Sequence, residues 1–212
     1  MATIVTEPFR STFIHIPKTG GNSITNWLNK NTKSQVTKRR QHATVQEVCR
    51  GMHSLGPMTQ EELGLTWCVV RNPWDYCASW YSFKIMLCEF YIDQIHKHPN
   101  KTNNRKEKWN LEVQQNKLKR LENGFVPWLK QTGVSPMYNW ANGCDKILKL
   151  ENIVEDFKFI QNKMNCWEPL GHDNKTLNRK KYQDYYTTQE SIDLVARKFK
   201  VDIETYNYDF DK

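Results

Sequence analysis

Short apolar runs alternate with amphipathic segments along the chain. The first run, RSTFIHI at residues 10–16, is rich in β-branched and aromatic residues and ends at a proline, and comparable runs occupy residues 65–70 and 146–150. Each run predicts a buried strand. Residues 24–29 and 153–164, which follow the first and third runs, have apolar residues at helical spacing, and residues 74–89, which follow the second, are long enough for a helix. Strands that alternate with helices predict an α/β fold with a central, mainly parallel sheet flanked by helices.

Residues 84–143 are polar and helical in character and lack the strand pattern seen elsewhere. We expect them to form a helical insertion or lid in a single domain covering residues 1–212, because a chain of this length usually makes one domain. Residues 188–206 place apolar side chains on one helical face, which predicts a packed closing helix.

The turn after the first predicted strand, PKTGGNS, has the composition of an anion site. Gly20 and Gly21 allow the backbone to approach a phosphate closely, and the amides that open the next helix point toward it. Lys18 adds a charge, and Thr19 and Ser23 add hydroxyls. The turn is not a Walker A motif, because its lysine precedes the glycines.

A second candidate anion site follows the strand at residues 65–70. Arg71 stands at its end and Ser79 lies two helical turns further on, so the pair could grip a phosphate from two sides. In α/β sheets, ligands bind beyond the carboxyl ends of the strands. Two such sites indicate a ligand with phosphates at both ends.

At these two turns the sequence resembles a known family. The run FIHIPKTGGNS at residues 13–23 is similar to the 5'-phosphosulfate loop of sulfotransferases that use 3'-phosphoadenosine 5'-phosphosulfate (PAPS). The run VVRNPWD at residues 69–75, together with Ser79, is similar to their 3'-phosphate motif. Residues 41–44, 148–153 and 178–210 also match the carbohydrate branch, which includes the heparan sulfate 2-O- and 6-O-sulfotransferases and their soluble bacterial and viral relatives.

The resemblance implies a P-loop-like three-layer fold and a role for each matching residue. Lys18 would neutralise charge on the leaving group, and His42 would be the general base that takes the proton of the acceptor hydroxyl. The implied cofactor is PAPS with PAP as its product, no metal is required, and the acceptor is a hydroxyl of a glycan or small alcohol. The residues expected to bind the cofactor are Lys18, Thr19, Gly20, Gly21, Asn22, Ser23, Arg71, Ser79, Lys175, Thr176 and Arg179.

The other histidines leave an alternative open for the base. His53 stands in a glycine-containing loop and is the competing candidate, whereas His15 lies within a predicted strand and reads as a packed core residue. His96 and His98 are expected to be solvated, and His172 is predicted to lie in a loop.

The composition narrows the partners but does not select one. Lys and Arg number 31 against 23 Asp and Glu, a net charge of +8 that favours an anionic partner. Two other hypotheses therefore stay open, a P-loop kinase acting on a small molecule and a non-catalytic binder of polyanions or nucleic acid. No zinc finger or RNA-binding signature supports the latter, so we expect no nucleic-acid partner.

The six cysteines show no paired spacing and read as reduced thiols. Because the chain lacks a signal-peptide pattern and a long apolar run, we expect a soluble cytoplasmic protein of bacterial or viral type, without a membrane anchor. The oligomeric state stays open.

Overall fold

The described strands are β1 (Ala2–Glu7), β2 (Ser11–Ile14), β3 (Lys33–Val36), β4 (Leu65–Val70) and β5 (Lys146–Lys149), and they form one sheet with the order β3-β1-β2-β4-β5. The computed structural model describes residues 2–37, 42–51, 56–99, 110–171 and 180–211. β2, β4 and β5 pair in parallel, and β1 pairs antiparallel with both β2 and β3.

The described residues form two compact units. The first comprises the described residues of Met1–Asn72, Ser135–Lys175 and Val201–Asp209, and the second those of Pro73–Val134, Thr176–Lys200 and Phe210–Lys212. The helices are α1 (Gly21–Asn31), α2 (Val45–Cys49), α3 (Gln60–Leu63), α4 (Pro73–Lys97), α5 (Leu111–Glu122), α6 (Phe125–Gln131), α7 (Tyr138–Ala141), α8 (Ile153–Asp156), α9 (Lys158–Met164), α10 (Gln189–Lys198) and α11 (Lys200–Tyr206).

The predicted α/β class, with a central sheet and flanking helices, is confirmed. The run at residues 65–70 is β4, and the other two predicted strands are present as β2 and β5 with slightly narrower bounds. The sequence pattern does not predict the antiparallel edge made by β1 and β3. β3, of sequence KSQV, has no buried residue, so its pairing rests on backbone hydrogen bonds that leave no hydrophobic signal.

Apolar side chains from one face of the sheet form the core of the first unit. Phe13, Trp67 and Val69 alternate along β2 and β4 and pack with Trp27 of α1 and Phe157, which precedes α9. The residues between them on the same strands, including Thr12, Ile14, Cys68 and Val70, are also fully buried. Both faces of the parallel strands are therefore covered, which explains why their sequences read as continuous apolar runs.

The second unit has an aromatic core. Tyr81 of α4 packs against Phe125 and Trp128 of α6, with ring centroids 5.4 Å apart in each case, and its hydroxyl donates to the Leu121 carbonyl at 2.7 Å. Tyr186 packs on Phe125 at 5.0 Å, and its hydroxyl donates to the Trp74 carbonyl at 2.9 Å. Large rings with polar tips thus supply both packing and hydrogen bonds in this unit.

Across the described residues, including the 25-residue helix α4, no helix combines the length and the apolar character needed to cross a membrane.

Candidate active site

The glycine turn joins the end of β2 to the start of α1. Gly20 is the residue that precedes α1, and its backbone lies in the left-handed region at φ 79°, which favours glycine. Gly20 has no side chain that could cap this helix, and the first turn of α1 carries no acidic residue. The first backbone N–H groups of α1 and the positive end of its dipole are therefore suited to an anion.

Gly21 is required for a different reason, because the His15 ring occupies the space that a side chain would need. A Cβ on Gly21 would lie 2.1 Å from Cδ2 and 2.3 Å from Nε2 of His15. The backbone at the start of α1 thus packs directly against the His15 imidazole, and the two consecutive glycines serve separate structural purposes.

The other residues of the turn differ in burial and in the contacts they make. Thr19 is fully buried, and its hydroxyl donates to the Ile16 carbonyl at 3.0 Å, which closes the turn. Lys18 is half-buried with φ 65°, Ser23 is buried, and Asn22 is exposed. Their binding roles stay predictions.

Arg71 follows β4, the parallel neighbour of β2. Its guanidinium Nη1 donates to the Lys18 carbonyl at 2.9 Å. Parallel strands end at the same edge of a sheet, so the two candidate anion sites of the sequence adjoin one another at Lys18 and Arg71. Ser79 belongs to the second unit, where it is buried on α4 with 7% of its surface exposed, and its partnership with Arg71 stays a prediction.

Polar contacts fix the backbone that follows Arg71. The Asn72 amide N–H donates to Glu151 Oε1 at 2.6 Å, and the Asn72 side chain donates to the Asp209 carbonyl at 2.7 Å. The Tyr208 hydroxyl donates to Glu151 Oε2 at 3.1 Å. Burial, reinforced by the Glu151 charge, raises the pKa of Tyr208, which keeps this hydroxyl protonated as a donor. The strand ends of β4 and β5 and the C-terminal segment are thereby joined.

His42 lies just before α2 in a left-handed backbone conformation, at φ 71°. Thr44 begins α2 with a capping box: its hydroxyl accepts from the Glu47 amide at 3.2 Å, and Glu47 Oε2 accepts from the Thr44 amide at 2.9 Å. This cap fixes the direction in which the chain enters the helix, and so the position of the histidine two residues earlier.

The hydrogen bond of the His42 ring determines which of its nitrogens can accept a proton. Nδ1 lies 2.8 Å from the His15 carbonyl, and because a carbonyl oxygen only accepts, Nδ1 carries the hydrogen. Nε2 is then the basic nitrogen. Burial lowers the pKa of His42, with the bond to His15 acting in the opposite direction, so the ring is neutral at neutral pH.

His15 connects the glycine turn with His42. Its ring lies edge-on to the His42 ring, with centroids 5.0 Å apart, and stacks on Phe13 at 6.0 Å. Burial, and secondarily the neighbouring His42, lowers the pKa of His15 to about 3. His15 is 5% exposed, and its Nδ1 has no hydrogen-bond partner among the described residues. The interpretation of His15 as a packed core residue is thus confirmed.

Several predicted positions fall outside the described residues or away from this site. Lys175, Thr176 and Arg179, the competing base His53, and His172 all lie outside the described residues. His96 and His98 are exposed at the end of α4, as expected of solvated histidines. In the part of the chain that the structure describes, no group of three or more His, Cys, Asp or Glu could hold a metal ion.

The chain is similar to a known protein family. A family model described as the sulfotransferase family matches residues 2–209. The chain belongs to the sulfotransferase family. Comparisons with curated proteins and with solved structures found no match. The match spans both the glycine turn and the Arg71 turn of this sulfotransferase.

Three residues that support the site of this sulfotransferase were not among the candidates. Met137 Sδ accepts from the Arg71 amide at 3.3 Å, and Trp140 Nε1 donates to the His42 carbonyl at 2.8 Å. Asp202 accepts the amides of Met137 and Tyr138 at 3.0 and 2.7 Å. Asp202 lies in the C-terminal segment that carried part of the family resemblance, whereas no sequence signal marks Met137 or Trp140.

Proposed function

We propose that this sulfotransferase transfers the sulfuryl group from PAPS to a hydroxyl of a carbohydrate acceptor. The observation that carries the proposal is the contact between the Arg71 guanidinium and the Lys18 carbonyl in the glycine turn, at 2.9 Å. It brings two cationic residues from neighbouring strand ends to one edge of the sheet. A ligand with anionic groups at its two ends, such as PAPS, suits that pair better than a monophosphate does.

The chemistry of the glycine turn fits the phosphosulfate end of PAPS. Gly20 has no side chain that could cap α1, so the first amides of the helix remain suited to an anion such as the 5'-phosphate. In this proposal Thr19, Gly20, Gly21, Asn22 and Ser23 form the cradle. Thr19 would contribute its amide, because its hydroxyl is bonded to the Ile16 carbonyl.

Arg71 is proposed to bind the 3'-phosphate of the nucleotide. A planar guanidinium can bond two phosphate oxygens at once, and one of its five donors already holds the Lys18 carbonyl. Ser79, Lys175, Thr176 and Arg179 are proposed as further ligands of the nucleotide phosphates. The contact between Arg71 and the 3'-phosphate would let the enzyme distinguish PAPS from nucleotides that lack this phosphate.

His42 and Lys18 are proposed to act on opposite sides of the sulfur. Nε2 of His42 takes the proton of the acceptor hydroxyl as the bond between its oxygen and sulfur forms. The bond between sulfur and the bridging oxygen of the 5'-phosphate breaks, and its electron pair leaves on that oxygen. The Lys18 ammonium neutralises the charge that develops there, which lowers the barrier to departure of PAP. The scheme requires no metal ion.

A carbohydrate acceptor is supported by the resemblance of three further segments to the carbohydrate branch of the family. The excess of positive charge supports an anionic glycan in particular, because Lys18 and Arg71 account for only part of the net +8. A positively charged surface would raise the local concentration of such a glycan and its rate of association.

Calorimetric titration with PAP and with AMP tests the nucleotide assignment. PAP should bind at least about tenfold more tightly than AMP, since a charge-assisted contact to the extra phosphate contributes about 1.5–3 kcal/mol. Lys30→Ala removes an exposed lysine from the far end of α1 and is the matched control for loss of the Lys18 charge. It is expected to bind PAP as the wild type does. Equal affinities for the two nucleotides, or no binding of either, would contradict the proposal.

A further inference from the structure

A single helical turn, α7, contacts two segments of the site. One carries Arg71, the candidate phosphate-binding residue, and the other carries His42, the candidate general base. Met137, which immediately precedes α7, accepts the Arg71 amide through its sulfur at 3.3 Å. Trp140, within α7, donates its indole N–H to the His42 carbonyl at 2.8 Å. The turn therefore connects two segments that are 66 and 98 residues away from it in sequence.

The position of α7 is itself fixed from the C-terminal side. The Asp202 carboxylate accepts the Met137 amide at 3.0 Å and the Tyr138 amide at 2.7 Å, two of the N–H groups that a helix start leaves without helical partners. Asp202 is fully buried, and the Ala141 amide donates to the Met137 carbonyl at 3.0 Å. A one-turn helix held in this way can present Trp140 in one orientation.

Two hydrogen bonds, one on each side of its Cα, orient His42. The ring bonds through Nδ1 to the His15 carbonyl at 2.8 Å, and the backbone carbonyl accepts from Trp140 at 2.8 Å. The left-handed backbone of His42 is uncommon for a residue with a side chain, so it depends on contacts such as these. If the carbonyl bond were lost, the peptide could rotate and the ring could leave the His15 carbonyl.

We propose that Trp140 is a positioning residue that holds His42 in the Nδ1–H form, with Nε2 as its basic nitrogen. The proposal rests on the role of His42 as general base where it concerns turnover. The orientation of the His42 ring by Trp140 does not depend on that role. Trp140 acts through the His42 backbone and touches neither nucleotide nor acceptor in this scheme.

The first test replaces Trp140 by Phe, which keeps an aromatic ring and removes the N–H. Long-range ¹⁵N–¹H NMR of the free protein at pH 8 reports the tautomer of His42. The wild type should show mainly the Nδ1–H form, and Trp140→Phe should show a mixture. Trp27→Phe is the matched control, because the Trp27 indole also donates to a backbone carbonyl, that of Glu168 at 2.8 Å, in the same unit. It should leave the His42 tautomer as in the wild type.

The second test measures turnover with PAPS as donor and heparosan, desulfated chondroitin and N-acetylglucosamine as acceptors. Trp140→Phe should lower kcat about tenfold or more with the KM for PAPS unchanged, because small displacements of a catalytic group cost up to about a hundredfold. Trp27→Phe should keep kcat within about twofold. Equal losses in the two variants, or a wild-type tautomer in Trp140→Phe, would overturn the proposal.

A third measurement needs no substitution and covers the case in which Trp140→Phe does not fold. In the wild type, the Trp140 indole N–H should exchange with solvent at least about tenfold more slowly than that of Trp167, which is 61% exposed. Equal exchange rates would overturn the proposal. If Trp140→Phe shifts the tautomer but the wild type transfers no sulfuryl group, the positioning role stands and the proposed function fails.

Discussion

Replacing Gly21 by Ala tests the contact between the glycine turn and His15 most sharply. The new Cβ would lie 2.1 Å from Cδ2 of His15, more than 1 Å inside the ordinary contact range of 3.4–4 Å. The imidazole cannot move away easily, because it is 5% exposed and stacked on Phe13. Overpacking of this kind costs about 1–3 kcal/mol, and so large an overlap places the expected loss near 3 kcal/mol.

The assay is urea unfolding of Gly21→Ala, His15→Ala and the double variant. With a slope of about 2 kcal/mol per M, a loss of about 3 kcal/mol lowers the midpoint by about 1.5 M. Once His15→Ala has removed the ring, the added methyl should cost less than about 1 kcal/mol, since alanine is otherwise the better helix former. The two substitutions should therefore couple by about 2 kcal/mol.

Gly133→Ala is the matched control for this cycle, because a Cβ at Gly133 would meet no atom of the described residues within 4 Å. Its free energy of unfolding should stay within about 0.5 kcal/mol of the wild-type value. If Gly21→Ala is as mild as Gly133→Ala, or if the double variant loses the sum of the single losses, the close approach of Gly21 to His15 is refuted.

Three further predictions concern the chemistry and the buried acid. His42→Ala should lower sulfuryl transfer about 10²- to 10⁴-fold while PAP affinity, measured by calorimetry, stays within about twofold, and Lys18→Ala should damage both; normal turnover in His42→Ala would exclude it as the base. Arg71→Ala should weaken PAP binding at least about tenfold and leave AMP binding nearly unchanged, so an equal loss for both nucleotides would contradict a 3'-phosphate role. Burial raises the pKa of Asp202 from its usual value of 3.8 to about 6, against the opposing effect of the Tyr138 and Met137 amides. As the pH falls from 7 to 5, the native state binds a proton at Asp202 and the unfolded state does not yet do so. Protonation of Asp202 therefore raises the free energy of unfolding of the wild type over this range, by about 1 kcal/mol relative to Asp202→Asn. Parallel pH profiles of unfolding free energy for the two proteins would contradict the raised pKa.

The fold class can be predicted from the sequence where a strand is buried on both faces of the sheet, because such a strand has a continuous run of apolar residues. β4 has the bounds of its run, residues 65–70, because five of its six residues are buried. β3 has no such signal, since its residues KSQV alternate between exposed and half-buried positions. A polar edge strand is defined by its backbone partner, and that partner cannot be identified from local pattern.

The candidate site is predictable where one turn holds the whole signal. The run PKTGGNS contains the lysine, the left-handed glycine and the start of α1 within seven residues, so its arrangement could be expected from residue types alone. The second purpose of Gly21, to admit the His15 ring, is not visible in the sequence, because the approach of a ring six residues earlier depends on how the turn folds back.

The support of His42 was beyond sequence reasoning for a physical reason. Its partners are the His15 carbonyl and the Trp140 indole, at separations of 27 and 98 residues. A bond to a backbone carbonyl requires no particular residue type at the position of that carbonyl, so the sequence pattern does not reveal it. Asp202 is the partial exception, because it lies in a C-terminal segment that resembles the family. Its function as the cap of α7 required the structure.

Transfer of ³⁵S from labelled PAPS tests the central claim most directly. The wild type should label at least one of heparosan, desulfated chondroitin and N-acetylglucosamine in a reaction that excess PAP inhibits, and His42→Ala should label it at least about 10²-fold more slowly. Labelling of 2-naphthol alone would contradict a carbohydrate acceptor. No labelled product from any acceptor, by a protein that binds PAP, would contradict sulfuryl transfer from PAPS itself.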